Sequence, residues 1–248
     1  MMYHHFAYIY DYLMKDVPYD KWVQFLHQSS ITYGNGGKRV LDLACGTGEI
    51  SYRLAQLGYH VTGVDLSEDM LAIAQEKMEA YGQNHALFVK QDMRSLHGFQ
   101  PFDYIFICVD AINYLLTKED VLATFQHVFE HLNDGGLLIF DVHSVYKVEK
   151  LLKGNTFADN DDEISYIWNC FEGSYQHSVV HELTFFVRNG ENYKRYDEDH
   201  EQRTFSVQEY KQMLVECRLS VLKVLTAFEH TPMDQAERIF FIARKEGK

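Results

Sequence analysis

The sequence predicts an α/β fold built on a parallel sheet, and three observations predict it. An apolar run at 39–44 stops at Gly46 and Gly48 and gives way to a helical pattern. Strand-like and helix-like segments then alternate as far as His143. The period next changes to a two-residue alternation between 163 and 205, before one more helix and two terminal apolar runs. Alternating strands and helices imply a parallel sheet with helices on both faces, and the alternating tract implies antiparallel strands.

The elements follow in order. Residues 3–28 interleave aromatics (Tyr3, Phe6, Tyr8, Tyr10, Tyr12, Tyr19, Trp22, Phe25) with charged and imidazole side chains. The spacing of 19–26 is helical and Pro18 suits its first turn; 29–37 reads as a loop. The strand at 39–44 leads into a helix at 48–57, stopped by Gly58. The strand at 60–65 ends in Asp65. Ser67 is a plausible N-cap for a helix reaching about Tyr81, with Gly82 as its stop. A third strand, 86–90, delivers Gln91, Asp92 and Met93 to its carboxyl end. A fourth, 102–108, is followed by Asp110, Asn113 and Tyr114. A helix at 117–132 and a turn at 133–136 precede the fifth strand at 137–141, with His143 just beyond it.

Strand-like runs at 164–168, 179–187 and 193–205 come next, and Asn189-Gly190 is a strong hairpin turn. A helix at 206–217, capped by Ser206, leads to strands at 219–228 and 238–244. Five parallel strands and a two-strand finish make a seven-stranded sheet. The chain thus divides into an aromatic N-terminal lid (1–38), a core (39–144 and 206–248) and an antiparallel β-insertion (145–205).

Composition narrows the function. The chain has 248 residues, 46% of them hydrophobic, enough for a sizeable core. No run approaches the roughly 18 apolar residues of a membrane span, and the N-terminus lacks a secretion signal. Cys45, Cys108, Cys170 and Cys217 are scattered, which points to reduced thiols in a cytoplasmic protein and away from a metal site. The net charge of −13 disfavours nucleic acid as a partner.

The glycine segment carries the chemistry. Gly46 and Gly48 let backbone approach a nucleotide-like ligand, and Asp65, at the end of the second strand, can accept hydrogen bonds from ribose hydroxyls. A dinucleotide fingerprint would place a third glycine at position 51, where this chain has Ser51. Asp42, just ahead of the glycines, would repel a diphosphate and could suit a ligand that carries an amino group.

The string Val40-Leu-Asp-Leu-Ala-Cys-Gly-Thr-Gly48 resembles motif I of the class I S-adenosylmethionine (SAM)-dependent methyltransferases. Gly63-Val-Asp-Leu-Ser-Glu-Asp-Met70-Leu resembles the second-strand motif of that family. The resemblance covers 39–142 and, less closely, 206–245. It implies a doubly wound, mostly parallel, Rossmann-like sheet, with SAM as methyl donor and S-adenosylhomocysteine as product. Carried over residue by residue, it places Ala44, Gly46 and Gly48 against the cofactor, Asp42 at its amino group and Asp65 at its ribose. Leu66, Met70, Asp92 and Met93 would border the adenine. Cys108 would lie under the sulfonium, and Tyr19 would meet the carboxylate.

Tyr10, Tyr19 and Trp22 could close over the cofactor. Asp110, Asn113 and Tyr114 would face an acceptor, and His143 would be a general base if that acceptor is an ammonium. The insertion resembles the small β lid of enzymes similar to sugar N-methyltransferases and glycine N-methyltransferase-like enzymes. Tyr166, Trp168, Tyr193 and Arg195 would wall its pocket; a dimerisation surface is the alternative, so the chain is a monomer or a homodimer. Arg195, Glu198, His200 and Arg203 read as an ionic ladder or as substrate contacts.

A small-molecule acceptor is the expected partner. Two other functions stay open at this point. A nicotinamide-linked oxidoreductase is opposed by Ser51 and Asp42. A non-catalytic binding module is opposed by the intact set Asp42, Gly46, Gly48 and Asp65.

Overall fold

The structure, a computed structural model, describes residues 9–82, 86–226, 228 and 232–247. Tyr3, Phe6 and Tyr8 of the aromatic N-terminal segment lie outside the described residues.

Seven strands form the main sheet: β1 (Arg39–Leu43), β2 (His60–Asp65), β3 (Leu87–Lys90), β4 (Phe102–Ile107), β5 (Leu132–His143), β10 (Leu219–Thr226) and β11 (Arg238–Lys245). Their order is β10-β11-β5-β4-β1-β2-β3. Strands β5, β4, β1, β2 and β3 run parallel, and β11 joins β5 antiparallel. Strand β4 is buried along its whole length and β5 from Gly136 to His143 because helices cover both faces of the sheet. On one face, α1 (Tyr19–Tyr33) and α2 (Glu49–Gln56) bury Trp22, Leu26, Ile50 and Leu54 against Val40, Phe106 and Phe240. On the other, α4 (Lys118–His131) and α5 (Val207–Glu216) bury Phe125, Val128, Tyr210 and Met213 against Phe140 and Phe241. Helix α3 (Glu68–Ala80) packs on β2 and β3.

Three local outcomes differ from the sequence reading. Helix α1 runs on through 29–33, where a loop was expected. Ser29 and Ser30 are buried in this last part of the helix, and the hydroxyls of Ser30 and Thr32 are satisfied by the carbonyls of Leu26 and Gln28 at 2.8 Å. The segment 1–38 is also not uniformly a lid. Tyr19, Trp22 and Leu26 belong to the core, and Trp22 packs on Phe240 at 4.9 Å between ring centroids. Finally, the insertion has a fourth strand. β6 (Thr156–Asn160), β7 (Ile164–Glu172), β8 (Ser178–Asn189) and β9 (Asn192–Arg203) form one antiparallel sheet in that order. β6 is exposed along its whole length, which leaves no hydrophobic alternation to read.

The helical residues 9–13 sit between the two sheets. Ile9, Tyr12 and Leu13 pack on Ile164 and Phe185 of the insertion. Asp11 turns toward the core, where it accepts from Thr47 Oγ1 at 2.5 Å and from Lys77 Nζ at 3.0 Å.

Candidate active site

The strand order reverses between β1 and β4: from β1 the chain proceeds outward to β2 and β3, and from β4 it proceeds the other way to β5. Ligands of open α/β sheets bind beyond the carboxyl ends of the strands at that switch. A cavity of about 1060 Å³ lies there. Ala44 follows β1 at φ 62°, and Val109 and Asp110 follow β4 at 58° and 54°. Such values are uncommon outside glycine and least tolerated by a β-branched residue. Strain of this kind persists where the surroundings hold it, commonly at ligand sites.

One half of the cavity is built from the glycine turn. A Cβ at Gly46 (φ 53°) would meet nothing within 4 Å, so its backbone faces open space. A Cβ at Gly48 (φ 77°) would come within 2.9 Å of the Ala74 Cβ. Gly48 is therefore needed for the seating of α2 against α3, and it is not in the cavity wall. Asp65 is held by two backbone amides: Gly46 donates to Oδ2 at 2.8 Å and Ser67 to Oδ1 at 2.9 Å. Each oxygen keeps a further acceptor site that a ribose hydroxyl could use.

Ser51, completely buried, donates to Asp42 Oδ2 at 2.6 Å. The residue that breaks the dinucleotide fingerprint thus has a function of its own. Burial pushes Asp42 up to about 6, against the Ser51 hydrogen bond and with help from the Asp65 charge. At neutral pH Asp42 is largely ionised and suited to an ammonium partner. These groups fit the amino and ribose ends of SAM.

Tyr10, Tyr19, Trp22, Ala44, Leu66, Met70, Met93, Cys108, Asp110, Tyr114 and His143 also line the cavity. Burial drives Tyr10 and Tyr19 well above the usual phenol range and the Cys108 thiol well above its own, so all three are protonated. Asp92 and Asn113 do not line it. Asp92 is turned aside by Arg94, whose Nη2 lies 2.6 Å from Oδ2, and it caps the short turn Met93–Ser95. Asn113 is fully buried as a joint: it donates to the Arg203 carbonyl at 2.8 Å and accepts from the His143 amide at 2.9 Å.

Several residues that the sequence reading missed complete the other half. Arg238, at the start of β11, pairs in register with His143. Its Nη2 donates to Asp110 Oδ1 at 2.8 Å, its Nη1 pairs with the fully buried Asp141, and its guanidinium lies 5.2 Å from the Trp22 ring centre. Burial alone would raise Asp110; His143 when protonated, Arg238 and Lys147 instead hold it well below the usual carboxylate range. Burial also pushes Asp141 up to about 6, with Arg238 opposing and the Asp110 charge assisting the rise.

A directed chain of donors reaches Asp110 from the insertion. Trp168 Nε1 donates to His181 Nδ1 at 2.9 Å. That fixes the neutral tautomer, leaving Nε2–H to donate to Gln202 Oε1 at 3.2 Å. Gln202 Nε2 then donates to Asp110 Oδ2 at 3.0 Å. Burial lowers His181 to about 4 and His143 to about 3, so both imidazoles are neutral at pH 7. His143 Nε2 lies 3.6 Å from Asp110 Oδ2, and its buried Nδ1 has no hydrogen-bond partner among the described residues.

Of the four aromatic and basic residues expected to wall the insertion side, Tyr166 and Trp168 do so. Tyr193 instead donates to the Asp162 carbonyl, and Arg195 pairs with Asp197 on the opposite face. Strand alternation separates the other basic cluster too. His200 lines the cavity beside Gln202, whereas Arg203 donates to the carbonyls of Leu116 and Gln176. The signal for Arg238 was its place at the head of the last strand of the two-strand finish; Gln202 carried no signal of its own.

Among the described residues, no helix is long and apolar enough to cross a membrane, and no cluster of three or more His, Cys, Asp or Glu could hold a metal.

Known proteins resemble the chain at each level. A family model described as a methyltransferase domain matches residues 40–136. A protein of Bacillus subtilis (strain 168), "Putative methyltransferase YqeM", is 50% identical over 99% of this chain and 98% of its own length. The crystal structure of a SAM-dependent methyltransferase from Clostridium acetobutylicum ATCC 824 is 33% identical, covers 100% of both chains and superposes with a TM-score of 0.89. SAM-bound CalS10, an amino pentose methyltransferase from Micromonospora echinaspora, shares the fold at a TM-score of 0.77, with 18% identity and 96% of each chain covered. The sheet order, the glycine turn between Asp42 and Asp65, and full-length relatives at this identity agree: the chain belongs to the class I SAM-dependent methyltransferase family.

Proposed function

We propose that this methyltransferase acts on a small-molecule acceptor by in-line displacement, with the acceptor lying between the carboxyl end of β4 and the β-insertion. The observation that carries the reading is that Asp42 and Asp65 share one cavity with Asp110, His143, Trp168 and His200. Bound SAM supplies a methyl group already activated on a sulfonium. The chain's own residues then have to align the reactants and exclude water.

In this reading Asp65 holds the ribose, Asp42 the amino group and Tyr19 the carboxylate of the cofactor. Leu66, Met70 and Met93 flank the adenine, and the backbone at Ala44, Gly46 and Cys108 lies against the cofactor. Gly48 and Asp92 act one step back, through helix packing and the turn at Met93. Tyr10, Tyr19 and Trp22 offer aromatic faces to a cation, an attraction worth about 0.5–2 kcal/mol. Asp110 and Tyr114 orient the acceptor, with Asn113 behind them. His143 is neutral and so deeply depressed in pKa that it serves better as a hydrogen-bonding group than as a base.

The test is a screen of fractionated metabolites with methyl-labelled SAM. A labelled small molecule formed together with S-adenosylhomocysteine is expected. Label appearing in protein or nucleic acid and in no small molecule would contradict the reading.

A further inference from the structure

We propose that Lys147 is a subsite for an anionic group, a carboxylate or a phosphate, carried by the methyl acceptor. The inference rests on reading the cavity as the methyl-transfer site. Lys147 and Arg238 are the Lys and Arg side chains among the described lining residues. Arg238 is committed, with its two terminal nitrogens on Asp110 and Asp141. Lys147 is not. Its Nζ, with three donors, has no hydrogen-bond acceptor among the described residues, and its nearest carboxylate is Glu237 at 3.9 Å. The Glu237 side chain is 62% exposed, while that of Lys147 is 20% exposed.

The other carboxylates in the wall are already engaged. Asp42 accepts from Ser51, Asp65 from two amides, and Glu49 pairs with Lys77 and Arg53. A cation in a partly desolvated wall whose one ion pair among the described residues is long, and made to an exposed carboxylate, can take an anion from the ligand.

Lys147 is also held in place. Its amide donates to Ser144 Oγ at 2.9 Å, and it opens a π-helical turn, Lys147–Leu152, separated by three residues from the end of β5. Turns of this type are rare and concentrate at functional sites. The neighbouring His143 presents a buried Nδ1 without a partner among the described residues. Burial, and Arg238 nearby, pull Lys147 below the usual ammonium range, against the opposing charges of Asp110, Glu237 and Asp141.

Calorimetry tests the proposal at pH 7 and constant ionic strength. Sodium acetate, inorganic phosphate and the uncharged acetamide are titrated into protein saturated with S-adenosylhomocysteine. Acetate or phosphate should bind saturably and acetamide should not, and the tighter anion identifies the group. Lys147→Met should weaken anion binding at least about tenfold, and Lys147→Arg should restore most of it. Both variants should bind S-adenosylhomocysteine about as tightly as wild type.

Should Lys147→Met not fold, 13C-methylated lysines in the wild-type protein give a second readout. The signal lost in Lys147→Arg should shift with acetate or phosphate and not with acetamide. Equal anion binding by wild type and Lys147→Met, equal binding of acetate and acetamide, or no saturable anion binding would overturn the proposal. Failure to bind S-adenosylhomocysteine would show in the first titration and would refute the methyl-transfer reading instead. The same anion titrations on the free protein would then decide the Lys147 subsite separately.

Discussion

Arg238 joins two carboxylates that behave differently without it. Asp141 is wholly buried, with one oxygen unpaired among the described residues, and Asp110 sits in a left-handed conformation that the hydrogen bond donated by its backbone N–H to Asp141 Oδ2 helps to hold. Arg238→Ala would leave both charges without their cation, at a cost of about 3–5 kcal/mol. Urea unfolding measures this; a loss below about 1 kcal/mol would mean that the pair does not depend on Arg238. Arg238→Lys should rescue only part of the loss, because one ammonium does not span both carboxylates as a guanidinium does. This residue was hard to read in the sequence. Its partners lie 97 and 128 positions away, and only the antiparallel register of β11 on β5 brings them together. Asp42 and Asp65 were legible because a local motif fixes them within a few residues of a strand end. Ser51 was read only as a missing glycine; its bond to Asp42 depends on the turn of α2 that follows.

The N-terminal segment shows the same division at the level of elements. Helical residues 9–13 touch both the glycine turn, through Asp11 and Thr47, and the insertion, through Ile9 and Tyr12. Helix α1 is part of the core. A lid would therefore exclude α1, and so be shorter than the 1–38 that the sequence assigns to it. Aromatic spacing alone does not distinguish a covering helix from a core helix, since both need an apolar face. Asp11→Ala removes the bonds to Thr47 and Lys77. Limited proteolysis should then cut before Pro18 several-fold faster than in wild type, with S-adenosylhomocysteine restoring part of the protection. Identical cleavage of both proteins would show that Asp11 does not fasten the segment. The insertion was legible in β7–β9 through alternation and the Asn189-Gly190 turn, with β8 and β9 paired from Ser178 and Arg203 to Asn189 and Asn192. β6 was not, because an exposed edge strand has no buried face to impose a pattern.

Over the whole molecule, buried titratable groups set the response to acid. His143 and His181 have folded pKa values of about 3 and 4, below the ordinary imidazole value of 6.5. Their contribution is present above about 6.5 and is lost as the pH falls toward the folded values. Asp42 and Asp141 are raised to about 6, so their contribution has the opposite sign: it is present below about 3.8 and is lost as the pH rises through 6. The two effects oppose one another between about pH 4 and 6. His143→Asn removes one of the imidazoles. Relative to wild type it should gain stability as the pH drops from 6.5, by up to about 1.4 kcal/mol per pH unit. A stability difference constant from pH 7 to pH 4 would mean that His143 is not buried in its neutral form.

The order of the main sheet was legible because five alternating units and a two-strand finish leave few arrangements. The charge network across β4, β5, β9 and β11 was not, because it exists only once that order is formed. The central claim is that the turn between Asp42 and Asp65 is the SAM site, and calorimetry of wild type and Asp65→Ala tests it most directly. Wild type should bind SAM and S-adenosylhomocysteine with micromolar affinity and should not bind NADH. Asp65→Ala should lose about 1.5–3 kcal/mol of that affinity, the worth of hydrogen bonds to a charged acceptor. Unchanged SAM binding in Asp65→Ala, or binding of NADH in place of SAM by wild type, would contradict the account.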